Sequence, residues 1–286
     1  MIDRLLAASG REAPELAAAK LVAFSRTLTL VVAVEMWESL PYWVAAGSGS
    51  LHQAKAILGT LAALLSWKAP RLGCALLLPL CLLELVAAFP ECANHHYLIA
   101  LCLLLVAATS ERQDEALPLV QTLRCIGALG LFWAGLQKLF GGYYVTGTFL
   151  AYAISRNERF AAYFRPLLGS DEVARLQAIE LAEGAVYRIA DPLFIVVSNL
   201  TWIGELVLPA LLFVPRLRNA ALVAMLAYIV GIEIAAREIF FGVLIVSLIL
   251  LFAPFDANRR ALPWWIALFA LALASRTPLV PHWVFT

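Results

Sequence analysis

Residues 88–105 read AFPECANHHYLIALCLLL. From Tyr97 to Ser110 no residue carries a charge, and the apolar residues run continuously instead of alternating. A membrane strand shows about ten residues of strict alternation, whereas a membrane helix shows an unbroken run, so this stretch predicts a helix that enters the apolar phase near Tyr97. Asn94, His95 and His96 therefore stand at its lip, and they use two of the chain's four histidines.

The same character holds along the chain. Hydrophobic residues make up 63% and charged residues 14%, with a mean hydropathy of +0.85, values far from those of a soluble domain. At about 20 apolar residues per span, the chain has room for about eight or nine transmembrane helices. The expected fold class is all-α: a polytopic integral membrane helical bundle forming one domain, residues 1–286. The expected spans are 21–46, 52–67, 72–89, 95–109, 119–140, 191–214, 219–236, 237–254 and 262–276. The seventh and eighth touch at 235–238, which predicts a tight turn or a re-entrant hairpin. The opening MIDRLLAASGREAPELAAAK mixes acids and bases without a central apolar stretch. It is unlike a cleaved signal peptide, so the first span is expected to direct insertion.

A net charge of +1 lacks the concentrated basic surface of a nucleic-acid binder; membrane lipids are the expected surroundings and no nucleic acid is expected as a partner. Cys74, Cys81, Cys92, Cys102 and Cys125 fall singly, as small hydrophobes of helix interiors. They form no C-x-x-C pair for thiol chemistry. No Cys/His set has metal-ligand spacing, so no metal is expected.

Cytoplasmic loops retain Lys and Arg. Alternate connections hold Lys68 and Arg71, then Arg112, then Arg216 and Arg218, then Arg259 and Arg260, and the N-terminal tail adds Arg4, Arg11 and Lys20. The N-terminus is thus expected in the cytoplasm. The ECANHH turn and residues 141–190 are expected outside, facing the periplasm if the membrane is a bacterial inner membrane. Segment 141–190 is the one long polar connection. Within it Ser170 followed by DEVARLQAIELA reads as an N-cap and a short interfacial helix over about 171–182. His52 and His282 are expected to lie in the interface.

A charge inside a span costs about 2.5 to 3.5 kcal/mol and asks for a reason. Arg26, Glu35, Glu38, Glu84, Lys138, Glu205, Glu233 and Arg237 are such charges. Arg26 and Arg124, near span starts, are expected to snorkel to the interface; Glu233 and Arg237, four apart, can pair on one helix face. Lys138 lies between IGALGLFWAGLQ and LFGGYY, inside the outer boundary. Apolar surroundings disfavour the charged form of a lysine and make it a usable base. The expected topology puts Lys138 on the same side as Asn94, His95 and His96, where an amide, an imidazole and an ammonium with Phe132, Trp133 and Tyr143 would suit an amphipathic ring or an acid.

The runs NHHYLIALCLLL (94–105) and FWAGLQKLFGGYYVTGTFL (132–150) carry a resemblance to the transmembrane domain of vitamin K-dependent gamma-carboxylase and its bacterial relatives, the horizontally transferred transmembrane domain family. The likeness rests on Asn94-His95, on Trp133-Ala134-Gly135-Leu136-Gln137-Lys138-Leu139 and on Gly147. It continues through Glu205, Arg218 and FFGVLIVSLILLFAP, covering about residues 90–255. The resemblance implies reduced vitamin K or a menaquinone as cofactor, with Lys138 as the base on the hydroquinone. Oxygen adds, the quinone leaves as its epoxide, and in the family the step is coupled to carboxylation of a glutamate, with His95 and Asn94 in that half. Glu205 and His96 complete the expected quinone pocket with Trp133, Phe132 and Tyr143. Three alternatives stay open: an accessory subunit of a quinone-linked complex, a lipid-binding scaffold, and a transporter suggested by Glu84 and Glu205. A peptide or another membrane protein is a further partner the pattern allows.

Overall fold

The computed structural model describes residues 13–45, 47, 49–87, 94–109, 113–179, 187–236 and 239–253. The expected span 262–276, Cys92, Arg112, Arg237, Arg259, Arg260 and His282 lie outside the described residues. Those that are described form eleven helices and no strand. In chain order they are α1 (Pro14–Ala45), α2 (Gly49–Ser66), α3 (Pro70–Ala87), α4 (Asn94–Ala108), α5 (Gln113–Gly141), α6 (Thr148–Arg156), α7 (Glu158–Leu168), α8 (Ser170–Gln177), α9 (Pro192–Leu212), α10 (Arg218–Ala236) and α11 (Ile239–Leu250). Among the described residues, four stretches are long and apolar enough to cross a membrane: Pro14–Pro41, Pro70–Ala87, Glu115–Gly141 and Pro192–Leu212. They are consistent with an integral membrane protein. The apolar helices His95–Ala108 and Phe240–Leu250 are shorter. The chain divides into two compact units, Met1–Ile126 with Phe240–Trp265, and Gly127–Ile239 with Ile266–Thr286. Among the described residues the division falls within α5 and again at the start of α11.

In the first unit α1 packs on α2, α3 and α4. Its core residues repeat at helical spacing: Phe24, Leu28, Val32 and Met36 of α1, Cys74, Leu77 and Cys81 of α3, and Ile99, Leu103 and Val106 of α4. Because lipid is as apolar as leucine, what brings such helices together is close packing and polar contacts. Helix α2 shows this directly. It buries Ala56, Gly59, Ala62, Ala63 and Ser66, while Leu51, Ile57, Leu58, Leu61 and Leu64 are exposed. The small face lets the backbones approach, and Thr29 Oγ1 and Ser66 Oγ then share a hydrogen bond of 2.8 Å between α1 and α2. On α3, a Cβ at Gly73 would lie 2.6 Å from Ser66 Cβ and 2.7 Å from the Ala62 carbonyl oxygen. Since one obstacle is backbone, Gly73→Ala is expected to force α2 and α3 apart and lower stability by about 1 to 3 kcal/mol. Denaturant unfolding of the detergent-solubilised protein reads this, and an unchanged midpoint would refute the close approach.

Arg26 Nη2 donates to the Trp67 carbonyl at 2.6 Å in an exposed contact, with the guanidinium 5.1 Å from the indole centroid. Arg124 lies in the core instead. It is 4% exposed, and its Nε donates to the Leu251 carbonyl at 2.9 Å, with Lys20, 2% exposed, donating to the same oxygen at 3.1 Å. The carbonyls at a helix C-terminus lack intrahelical donors and carry partial negative charge. Two buried cations converge there, just past the end of α11.

The second unit corrects the reading of 141–190. Instead of a loop with one helix, its described part contains α6, α7 and α8, which share a core of Leu150, Ile154, Ala161, Phe164, Val173, Leu176, Tyr187, Ile189 and Phe194. The expected helix 171–182 is Ser170–Gln177. Ser170 is its first helical residue, not its N-cap; Gly169, at φ +79°, precedes it and supplies the carbonyl for Val173 N–H at 3.3 Å. Arg156 Nη2 donates to the Ile179 carbonyl at 3.1 Å and to Tyr187 Oη at 2.7 Å, fastening the segment. At the start of α9, Asp191 caps by accepting from Phe194 N–H at 2.8 Å, with Pro192 at the first turn. At its end Arg218 Nε donates to the Leu212 carbonyl at 3.0 Å.

Candidate functional site

Lys138 and Glu205 meet within the second unit. Lys138 lies in the last turn of α5 and Glu205 midway along α9, both among leucines and other apolar residues. Lys138 Nζ donates to Glu205 Oε1. The carboxylate side chain is 4% exposed and the lysine 23%, so an apolar helix pair encloses an ion pair that neither helix would carry alone at low cost.

Gly135, one turn before Lys138, explains how the two helices come close enough. A Cβ there would stand 3.0 Å from Glu205 Cβ, from Leu206 Cγ and from the Trp202 carbonyl oxygen. Its hydrogen is what lets α9 pass at the level of the pair. After α5 the chain turns through Gly142 (φ +71°) and Gly147 (φ +73°). At Gly147 the positive φ requires glycine, and a Cβ would in addition meet Ile195 Cδ1 at 2.8 Å. The turn is tied to α9, where Ser198 Oγ donates to the Tyr144 carbonyl at 2.6 Å and Asn199 Nδ2 to the Val145 carbonyl at 3.1 Å. This places the Tyr144 ring 5.2 Å from Lys138 Nζ, within reach of a cation–π contact. Tyr228 of α10 stands beside Glu205, with its hydroxyl donating to the Thr201 carbonyl at 2.6 Å.

Phe132 is 38%, Trp133 59% and Tyr143 64% exposed, and the ring over the lysine belongs to Tyr144. His95 and His96 lie in the first unit, in the first turn of α4, with Asn94 opening that helix and its side chain outside the described residues. His95 Nε2 is 3.1 Å and His96 Nε2 3.2 Å from Glu35 Oε1 of α1. These three groups offer ligand atoms all within 4.8 Å of one another. Glu84 of α3 faces Lys55 of α2 at 3.6 Å. The in-span acids Glu35, Glu84 and Glu205 thus each have a nitrogen partner.

No family model, curated protein or solved structure matches this chain.

The geometry of the residues therefore stands by itself. Sequence reading named Lys138, His95, His96 and Glu205 as candidates, and it marked Glu35 as a charge in need of a reason. It missed the role of Tyr144, whose signal was the doubled Tyr143-Tyr144 between two turn glycines. It also missed Glu35 as the histidines' partner, 60 residues away in sequence.

Proposed function

We propose that this chain is a membrane-embedded enzyme that oxygenates a reduced quinone, with the Lys138–Glu205 pair as proton acceptor. The observation that carries the proposal is that pair itself, held in apolar helices by a glycine contact one turn away. The pair holds one acidic proton whether written as ammonium and carboxylate or as amine and carboxylic acid. In either form it accepts one more, and the hydroquinone hydroxyl is a donor that apolar helices can admit. The exposed rings of Trp133, Phe132 and Tyr143 suit a ring that arrives from the bilayer. Reduced vitamin K or menaquinone is the substrate class that the sequence resemblance favours. The overall step consumes one dioxygen per hydroquinone, leaving one oxygen atom in the epoxide and the other in water. His95 and Asn94 belong to the carboxylation half of the same resemblance. The finer topology forms part of this proposal: eight or nine spans in a bacterial inner membrane, a cytoplasmic N-terminus, and residues 141–190 on the outer face.

The test is turnover in lipid nanodiscs supplied with oxygen and reduced menaquinone or vitamin K, with epoxide measured by chromatography. Epoxide is expected from the wild type and none above background from Lys138→Ala. A folded wild-type protein that yields no epoxide would favour an accessory subunit of a quinone-linked complex.

A further inference from the structure

Glu35, His95 and His96 form a second polar centre that the proton-accepting pair does not use. Neighbouring residues on a helix point about 100° apart, so adjacent histidines ordinarily find different partners. Here both imidazole Nε2 atoms converge on one carboxylate oxygen, at 3.1 and 3.2 Å, with ring centroids 4.4 Å apart. These two of the three donor separations are close to the edge of a tetrahedron, about 3.3 Å, that donors form around an ion at bonds of about 2.0 Å, and all three donors lie within 4.8 Å of one another. The side chains of Glu35 and His95 are 18% and that of His96 27% exposed, so the donors are largely enclosed and still reached by solvent. Phe241, its ring 6.4 Å from that of His95, supplies an apolar wall.

We propose that Glu35, His95 and His96 bind one divalent first-row transition metal ion, zinc or ferrous iron, and leave a coordination position open. Two imidazoles and one carboxylate suit borderline ions and not the all-oxygen shells of magnesium or calcium. Three protein ligands with a free fourth position is the arrangement of sites that hold a water or a substrate oxygen. The sequence carries no metal-ligand spacing because the acid comes from α1 and the histidines from α4. The site lies within the first unit and does not rest on the quinone reading, so metal binding and epoxide formation can fail separately.

The experiment uses tag-free, full-length protein in detergent, stripped with a chelator and titrated with Zn(II), with Co(II) as an optical probe and with Mg(II). One Zn(II) per chain is expected, with visible absorption for the cobalt form and no displacement by excess Mg(II). His96→Ala and Glu35→Gln are expected to weaken binding at least about 100-fold, and Glu35→Asp, which keeps an oxygen donor, to retain the cobalt absorption. Zn(II) should raise the melting temperature of the wild type and leave that of His96→Ala unchanged. Binding to folded wild type no tighter than to the Glu35→Gln/His96→Ala double variant would overturn the proposal, as would no binding at all.

Discussion

Lys138→Met is expected to destabilise the protein by about 3 to 5 kcal/mol, and adding Glu205→Leu to restore most of that loss but, on the proposed function, no epoxide formation. Glu205 is 4% exposed and Lys138 Nζ is the cation beside it. Removing the ammonium leaves the carboxylate in apolar surroundings without that cation, which is what makes the single change costly. Removing both charges takes away the penalty together with the attraction, and apolar side chains of similar volume often replace a buried pair without loss. The two outcomes separate a chemical role from a structural one. If the pair only holds α5 against α9, the double variant should regain whatever activity the wild type has. If the pair accepts the hydroquinone proton, the double variant should be stable and inactive, with turnover lower by about 10²- to 10⁴-fold, the usual range for losing a positioned base. Unfolding free energies and turnover measured on the wild type, Lys138→Met, Glu205→Leu and the double variant give the coupling energy directly. A stable double variant with wild-type turnover would remove Lys138 and Glu205 from the chemistry.

The helices were legible because their signal is continuous. The expected runs 52–67 and 72–89 correspond to Gly49–Ser66 and Pro70–Ala87. Residues 148–168 were not, since Arg156, Asn157, Glu158 and Arg165 interrupt any apolar run there. Their core residues recur instead as Leu150, Ala151, Ile154, Ala161 and Phe164, the periodic pattern of short amphipathic helices. Charges in apolar segments were likewise visible one at a time, because each breaks the hydropathy locally. Their partners were not: Lys138 meets an acid 67 residues away, and only the packing of α5 on α9 creates that pair. Arg124 was misplaced for a related reason. Its position near a span start suggested water, whereas the Leu251 carbonyl, 127 residues away, takes its guanidinium inside the core. The doubled tyrosine carried too little information to choose between its members, since the backbone at Gly142 and Gly147 and the ties to Ser198 and Asn199 decide which ring covers the lysine.

On the proposed function, Gly135→Leu is expected to lower hydroquinone turnover by about 100-fold while both charged residues remain in place. At this position even a Cβ would sit 3.0 Å from three atoms of α9, one of them the Trp202 carbonyl oxygen, which cannot rotate away. The larger side chain therefore has to be accommodated by moving the helices apart at the level of Lys138 and Glu205. A displacement of about 1 Å between reacting groups is enough for a loss of that size. Gly130, on the same helix, supplies the control, since a Cβ there meets nothing within 4 Å. Gly130→Ala should leave turnover unchanged and add helix propensity worth about 1 kcal/mol at most. If both glycine variants lose turnover together, general damage to α5 explains the effect. If Gly135→Leu alone retains wild-type turnover, close approach of α5 to α9 is not what sets the pair, which leaves Tyr144 and the turn that carries it to position Lys138 against Glu205.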